Sequence, residues 1–345
     1  MTANTGVSVG LVLPTRNHPA PVGLSTVLRI GEFADAAPGW STLWTPDSIL
    51  ALPYYDSGVL LAALAARTRR VRLGTACFAS LGFRHPVAVA RQWADLDALS
   101  GGRMTMVACP GNGTGRAVER ELRVFGLTYP EKVARFEEAV RFLRAASSSP
   151  TTSFAGKYVQ IDDLQLAPGF VQRPLPIWIA ANPSATAGPK TLDRVLGRVA
   201  RLGDGWMTFN VTPEQLATRV GQLREFREAA GHSNSPGGNG EDDRTREGTA
   251  PFPVCVYLNA NVSANAAQAR ADAAARWAQQ STRNVSATDL ERIGAIGSPE
   301  EAADFIGRLV EAGATHLAID LLSTDPERQV EQLTDLLLPR LGTPS

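Results

Sequence analysis

Hydrophobic positions along this chain gather into eight short, nearly unbroken runs, at residues 7–13, 42–45, 71–77, 104–109, 177–181, 205–209, 254–259 and 316–321. Strands covered on both faces lose the polar alternation of open antiparallel sheets, so these runs predict buried parallel strands. Between them apolar residues recur at helical spacing, as in Val133, Phe136, Val140 and Leu143, or Leu216, Val220 and Leu223. Three helices carry start signals: Thr128-Tyr129-Pro130-Glu131, Thr212-Pro213-Glu214-Gln215 and Ser298-Pro299-Glu300-Glu301. In each, a hydroxyl caps an amide three residues on, while the Glu or Gln at that third position reaches back. Strand then helix, eight times over, predicts an α/β protein of the (β/α)8 TIM-barrel class with insertions, one domain across residues 1–345.

Three segments depart from a minimal barrel. Residues 153–168, with Phe154, Tyr158, Val159, Ile161 and Leu164, predict a hairpin inserted between the fourth and fifth strands, placed to cover the barrel mouth. Residues 232–250 contain Gly237-Gly238-Asn239-Gly240-Glu241-Asp242-Asp243 and almost nothing apolar, so burial cannot offset the entropy of ordering them. A mobile loop is expected there. Residues 264–287 are Ala-rich around Trp277 and predict a helix, either a lid or a packing helix.

Composition narrows the partners. With 345 residues, 44% hydrophobic and 20% charged, the chain can bury one large core. Basic and acidic residues balance at 34 each, so no net field draws nucleic acid or an anionic membrane. Cys77, Cys109 and Cys255 are odd in number and far apart, which argues against both a disulfide framework and a metal ligand set. The first residues lack a basic segment and an apolar stretch of signal length, and no window approaches the roughly 20 apolar residues of a membrane span. A cytoplasmic protein is expected.

The order of short motifs adds a family likeness. Gly10-Leu11-Val12-Leu13-Pro14 and Leu43-Trp44-Thr45-Pro46-Asp47-Ser48 come first. Leu73-Gly74-Thr75-Ala76-Cys77-Phe78, Arg84-His85-Pro86 and Leu96-Asp97-Ala98-Leu99-Ser100-Gly101-Gly102-Arg103 follow. Then come Val124-Phe125-Gly126, the stretch from Val171-Gln172-Arg173-Pro174 to Ile179, Gly203-Asp204-Gly205-Trp206 and Ala312-Gly313-Ala314-Thr315-His316. In this order and spacing, over residues 7–210 and 293–340, the chain resembles the bacterial luciferase-like flavin-dependent monooxygenases. These are (β/α)8 barrels using reduced flavin mononucleotide (FMN) or, in some branches, a deazaflavin coenzyme (F420).

The resemblance implies a site at the carboxyl ends of the strands. It places a non-proline cis peptide at Ala76-Cys77, where the small Ala76 side chain lets a flavin ring approach; the plainer reading is a buried strand end. Cys109, Pro110, Gly111 and Asn112 fall where the family presents backbone amides to the ribityl chain and phosphate, and a glycine-rich turn suits that approach. The same turn fails as a dinucleotide loop, because Arg116 stands where GxGxxG needs a small residue. Cys109 is either a reactive thiol near the flavin or a small buried hydrophobe. Pro110 replaces an arginine used on the phosphate, so another cation must compensate.

Ala181, a small strand end suited to a dry pocket, and Asn182 are implied cofactor contacts, and Ser184, Thr186 and Lys190, before or at the start of the next helix, are the implied phosphate contacts, since a helix N-terminus with hydroxyls is an anion site. The candidate catalytic groups are His18, Asp47, Ser48 and His85. Ser48 stands where many relatives have histidine, and His85 is either a working base or a residue fixing its loop. Trp44 is expected to pack the pocket wall, and His316 falls at the stability face of the barrel.

Taken together, the resemblance implies an FMN-dependent monooxygenase acting with oxygen on a small organic substrate, with a separate flavin reductase as partner; it also admits a homodimer. A deazaflavin-dependent hydride-transfer oxidoreductase is the first alternative, a non-catalytic flavin-binding or partner subunit the second. An ordinary phosphate-binding hydrolase or lyase would need clustered Asp, Glu, His or Lys at the strand ends, and those clusters are missing. No metal is implied.

Overall fold

The computed structural model describes residues 6–16, 22–184, 186–232, 251–280 and 287–342. His18, and all of the expected mobile loop beyond His232, lie outside the described residues.

The strands are β1 (Ser8–Val12), β2 (Trp40–Thr45), β3 (Arg72–Thr75), β4 (Met104–Ala108), β5 (Thr151–Ala155), β6 (Gln160–Gln165), β7 (Ile177–Ala180), β8 (Gly205–Phe209), β9 (Val254–Val262), β10 (Gly294–Gly297) and β11 (His316–Leu321). Parallel pairing runs β9-β11-β1-β2-β3-β4-β7-β8 and closes through β8 on β9. The eight apolar runs thus form the closed parallel barrel of a (β/α)8 fold, with helices between successive strands. Beyond residue 257 the pairing partner of β9 changes, and β10 takes the place of β8 alongside it.

All three expected capping boxes form. Thr128, Thr212 and Ser298 each accept from the backbone amide of Glu131, Gln215 and Glu301, whose side chains return the bond, with Pro at the start of each helix. The helix Pro86–Ser100 ends at Gly101, whose positive φ of 70° is the conformation glycine adopts without penalty.

Two expectations about the insertions resolve differently. The hairpin β5–β6 forms but lies along the flank of the helix Tyr129–Ser148 instead of over the mouth. Glu138 in that helix accepts the amides of Lys157, Tyr158 and Val159 at 2.6–2.8 Å, and Phe154 meets Phe142 edge-on with centroids 5.4 Å apart. Its apolar residues therefore find their partners on the helix. The Ala-rich segment forms the helix Ala266–Gln280 and packs instead of gating: Asp272 accepts Asn261 Nδ2 (2.8 Å), Ser323 Oγ (2.6 Å) and the Thr324 amide (3.1 Å).

The foot of the barrel is tied by motif residues. Asp97, buried, accepts the amides of Val171 and Gln172 at 2.8 Å and the Gln172 side chain at 2.7 Å. Arg103 donates to Ser100 O and Val71 O, both at 2.7 Å, and to Thr68. Asp204 accepts Arg144 and the Ile177 amide, both at 2.9 Å. Inside, the indoles of Trp44 and Trp178 (centroids 5.8 Å apart) fill the middle of the barrel. They fit because three neighbours lack side chains: a Cβ on Gly10, Gly74 or Gly205 would stand 2.3–2.6 Å from an indole atom. The two rings make a floor. Everything above them is the mouth.

Candidate active site

Ala76, Cys77, Cys109, Trp44, Trp178, Ala180, Met207 and Tyr257 belong to one packed cluster inside the barrel, distinct from the larger core between barrel and helices. The ends of β3, β4 and β7 therefore converge, but Ala180 takes the inner position expected of Ala181, which packs against the outer core because successive strand residues face opposite sides. The Ala76–Cys77 peptide is cis, and the chain then returns to the barrel wall through the Phe78 amide on Val107 O at 2.7 Å. Ala76, Cys109 and Ala180 present small side chains on this arc, and Trp44 lies beneath them with its indole Nε1 buried and without a partner among the described residues.

Cys77 and Cys109 are joined as a disulfide, with Cα atoms 6.0 Å apart. This corrects the expectation drawn from cysteine spacing. Residues far apart in sequence stand side by side because β3 and β4 are neighbours in the barrel, so Cys109 is neither a free thiol nor a lone hydrophobe. The remaining cysteine, Cys255, is fully buried, and that burial pushes its thiol well above the usual range.

The residues expected at the phosphate end lie on two loops. Pro110 is buried, Asn112 exposed, and Gly111 has positive φ, with its carbonyl accepting from Tyr129 OH at 3.0 Å. Asn182 bridges to β8, donating to Phe209 O (2.9 Å) and accepting from Thr208 Oγ1 (3.0 Å). Ala181 O accepts from Trp206 Nε1 at 2.8 Å, and Ser184 O from the guanidinium of Arg219. The side chains of Ser184, Thr186 and Lys190 are exposed before and at the start of the helix Pro189–Leu202.

A cation missed in the sequence stands near the first loop. The Lys132 ammonium lies 3.0 Å from where a Cβ on Gly111 would be and 4.1 Å from the Phe83 ring centroid. Burial holds its pKa below the usual lysine value. No hydrophobic pattern marks such a residue, because the lysine sits on the first turn of an otherwise amphipathic helix.

The polar candidates divide between scaffold and mouth. Asp47 is buried and accepts Ser57 Oγ (2.9 Å) and the Ser80 amide (2.8 Å), tying the loop after β2 to the loop after β3. Burial raises its pKa, against the pull of Ser80, Ser57 and Arg84. Ser48 accepts the Leu52 amide at 3.0 Å and shapes the same loop. His85 is exposed at the start of the helix Pro86–Ser100, with no side-chain cap bond.

On the opposite wall lies a polar arc that the sequence reading did not single out. Tyr257 OH donates to Asp320 Oδ2 at 2.7 Å, and Asn259 Nδ2 to Asn210 Oδ1 at 3.2 Å. Tyr257 and Asp320 both have pKa values raised by burial, Tyr257 further by the adjoining carboxylate. Arg16, Arg276 and Tyr54 lie within electrostatic reach. The signal was available: polar side chains at alternate positions near the ends of two apolar strands point into the barrel. Among the described residues no group of three or more His, Cys, Asp or Glu is placed to hold a metal ion, and no helix is long and apolar enough to cross a membrane.

Comparison with known proteins adds the lineage. The sequence profile of the luciferase-like monooxygenases matches residues 7–316. The chain belongs to that family. Among its luciferase-like relatives, the F420-dependent glucose-6-phosphate dehydrogenase of Kineococcus radiotolerans is 27% identical over 333 residues, covering 91% of this chain and 93% of the relative. The enzyme of the same name from Amycolatopsis mediterranei is 26% identical over 324 residues, covering 88% and 90%. The fold matches the monooxygenase RslO1 from Streptomyces bottropensis with a TM-score of 0.74 at 22% identity, over 96% of this chain and 99% of the other. It matches an F420-dependent secondary alcohol dehydrogenase, solved with an F420–acetone adduct, equally well (TM-score 0.74, 16% identity, 97% and 99% covered). The protein is thus an oxidoreductase of the luciferase-like class.

Proposed function

We propose that this protein is a deazaflavin-dependent dehydrogenase that moves hydride between an F420-type coenzyme and a small alcohol. The observation that carries the reading is the likeness, along nearly the whole of both chains, to F420-dependent glucose-6-phosphate dehydrogenases. On that ground the expected reduced-FMN chemistry gives way to the deazaflavin alternative, and no separate flavin reductase is needed.

The mouth fits such a group. Ala76, Cys109 and Ala180 leave a planar ring room against the wall, and Trp44 and Trp178 seal the barrel below it. Gly111, Asn112, Ser184 and Thr186 would offer backbone and hydroxyl donors to a phosphate, and the buried Lys132 ammonium behind Gly111 would lend positive potential to that loop without a direct contact. When bound, the coenzyme contributes a two-electron hydride acceptor. The chain contributes a dry, shaped seat and an orientation for the alcohol carbon.

The test is anaerobic incubation with F420 and either glucose 6-phosphate or 2-propanol, following loss of the coenzyme's visible absorbance. Bleaching with either alcohol is expected. Oxygen consumption with reduced FMN, and no change in F420, would replace this reading with the monooxygenase.

A further inference from the structure

Asp320 and Ala318 alternate on β11, and Ala318 belongs to the inner cluster that holds Ala76 and Cys109, so Asp320 faces the same interior one step nearer the mouth. Register confirms the height: Asp320 lies beside Val12 of β1 and Asn259 of β9, both at or near the carboxyl ends of their pairings in the barrel. Tyr257 packs against that cluster and donates its hydroxyl to Asp320 at 2.7 Å.

Among the described residues, the other candidate polar side chains at the mouth are engaged elsewhere or lie at the rim. Asp47 and Ser48 hold loop amides and hydroxyls, the Cys77 and Cys109 sulfurs are bonded to each other, and His85 is exposed at a helix start. Four charged or titratable groups surround Asp320: Tyr257 on β9, Tyr54 after β2, Arg16 after β1 and Arg276 on the helix Ala266–Gln280. Arg276 is itself 8% exposed, and its Nε has no hydrogen-bond partner among the described residues. A buried donor left open in this way is a place for a polar ligand atom.

We infer that Asp320, steadied by Tyr257, is the proton acceptor for the hydroxyl of an alcohol substrate bound between it and the Ala76–Cys109 wall. The inference rests on the dehydrogenase reading above. In the step, the carbinol C–H bond breaks and its hydrogen leaves with both electrons as hydride to the deazaflavin. The O–H bond breaks with its electron pair retained to form the carbonyl, and the proton passes to the Asp320 carboxylate. Burial raises the pKa of Asp320 and so strengthens it as a base, while Arg16 and Arg276 keep the charged form accessible.

The test compares Asp320→Asn, Asp320→Glu and Tyr257→Phe with the parent protein, using F420 with glucose 6-phosphate, 2-propanol and cyclohexanol. All three variants should keep the parent's F420 affinity, read by fluorescence. Asp320→Asn should lose about a hundredfold or more in rate together with the limb of the pH profile that rises with pH. Asp320→Glu should recover part of both. Tyr257→Phe should move that limb to higher pH, since the carboxylate loses a donor. Independently of turnover, infrared difference spectra between low and high pH should contain a protonated-carboxyl band that vanishes in Asp320→Asn and shifts in Tyr257→Phe. Parent-like rates and pH limb in Asp320→Asn, or spectra unchanged by it, would overturn the inference. F420 binding without oxidation of any of the three alcohols would also overturn it and leave the coenzyme assignment standing; absence of F420 binding by the parent would remove both.

Discussion

At the foot of the barrel Asp97, Arg103 and Asp204 are held by dense hydrogen bonding to backbone and side chains, whereas from the indole floor upward Trp44 Nε1, Thr15 Oγ1 and Arg276 Nε are buried without partners among the described residues. Both ends belong to the same eight strands. The difference is what the polar groups are for: satisfied groups fix a fold, and open ones await something that is not protein. It also separates two kinds of motif. Leu96-Asp97, Gly102-Arg103 and Gly203-Asp204, which carry much of the family likeness, are foot residues joining strand starts to helix ends.

If that division is sound, substitutions at the two ends should move different measurements. The largest effect is expected from Ala76→Leu, which would fill the proposed ring seat. F420 affinity should fall by about a thousandfold, with the unfolding midpoint little changed. Retained affinity would break the comparison at its mouth end. Arg103→Met should do the reverse, costing about 3 kcal/mol of stability in urea, because it strands the buried carbonyls of Val71 and Ser100, while F420 affinity per folded molecule stays the same.

A smaller effect should come from His316, which begins β11 at the foot and meets the Trp178 ring with centroids 5.0 Å apart. Burial, then the nearby Arg72, lowers its pKa to about 4. Below the ordinary histidine value of about 6.5 the unfolded chain binds a proton that the folded chain refuses, so stability falls as pH drops from there toward 4. This group should contribute roughly 2–3 kcal/mol to that loss. His316→Gln should flatten the dependence by that amount in urea titrations across the same range. An unchanged slope would show that His316 is not shielded from water beside Trp178.

Much of the barrel was legible from the chain because its signals are local. Apolar runs marked the strands, and Thr128, Thr212 and Ser298 announced helices that begin where expected. The Ala76–Cys77 geometry followed from family likeness. What escaped was set by closure of the barrel. The Cys77–Cys109 bond, the Tyr257–Asp320 pair and the approach of Lys132 to Gly111 join residues whose proximity no spacing along the chain encodes. The hairpin was recognisable as a hairpin, yet its placement depended on Glu138 of a neighbouring helix offering a carboxylate to three amides. Within the site, apolar strand ends were easy to read. Asp320 lay inside an apolar run, where hydrophobic patterning alone discounts it.

The central claim is that the mouth between Ala76, Cys109 and Ala180 seats a deazaflavin. Anaerobic equilibrium titration of the protein with F420 and, separately, with FMN tests it most directly. Saturable F420 binding at least about tenfold tighter than FMN is expected. FMN binding tighter than F420, or no saturable F420 binding at all, would contradict it.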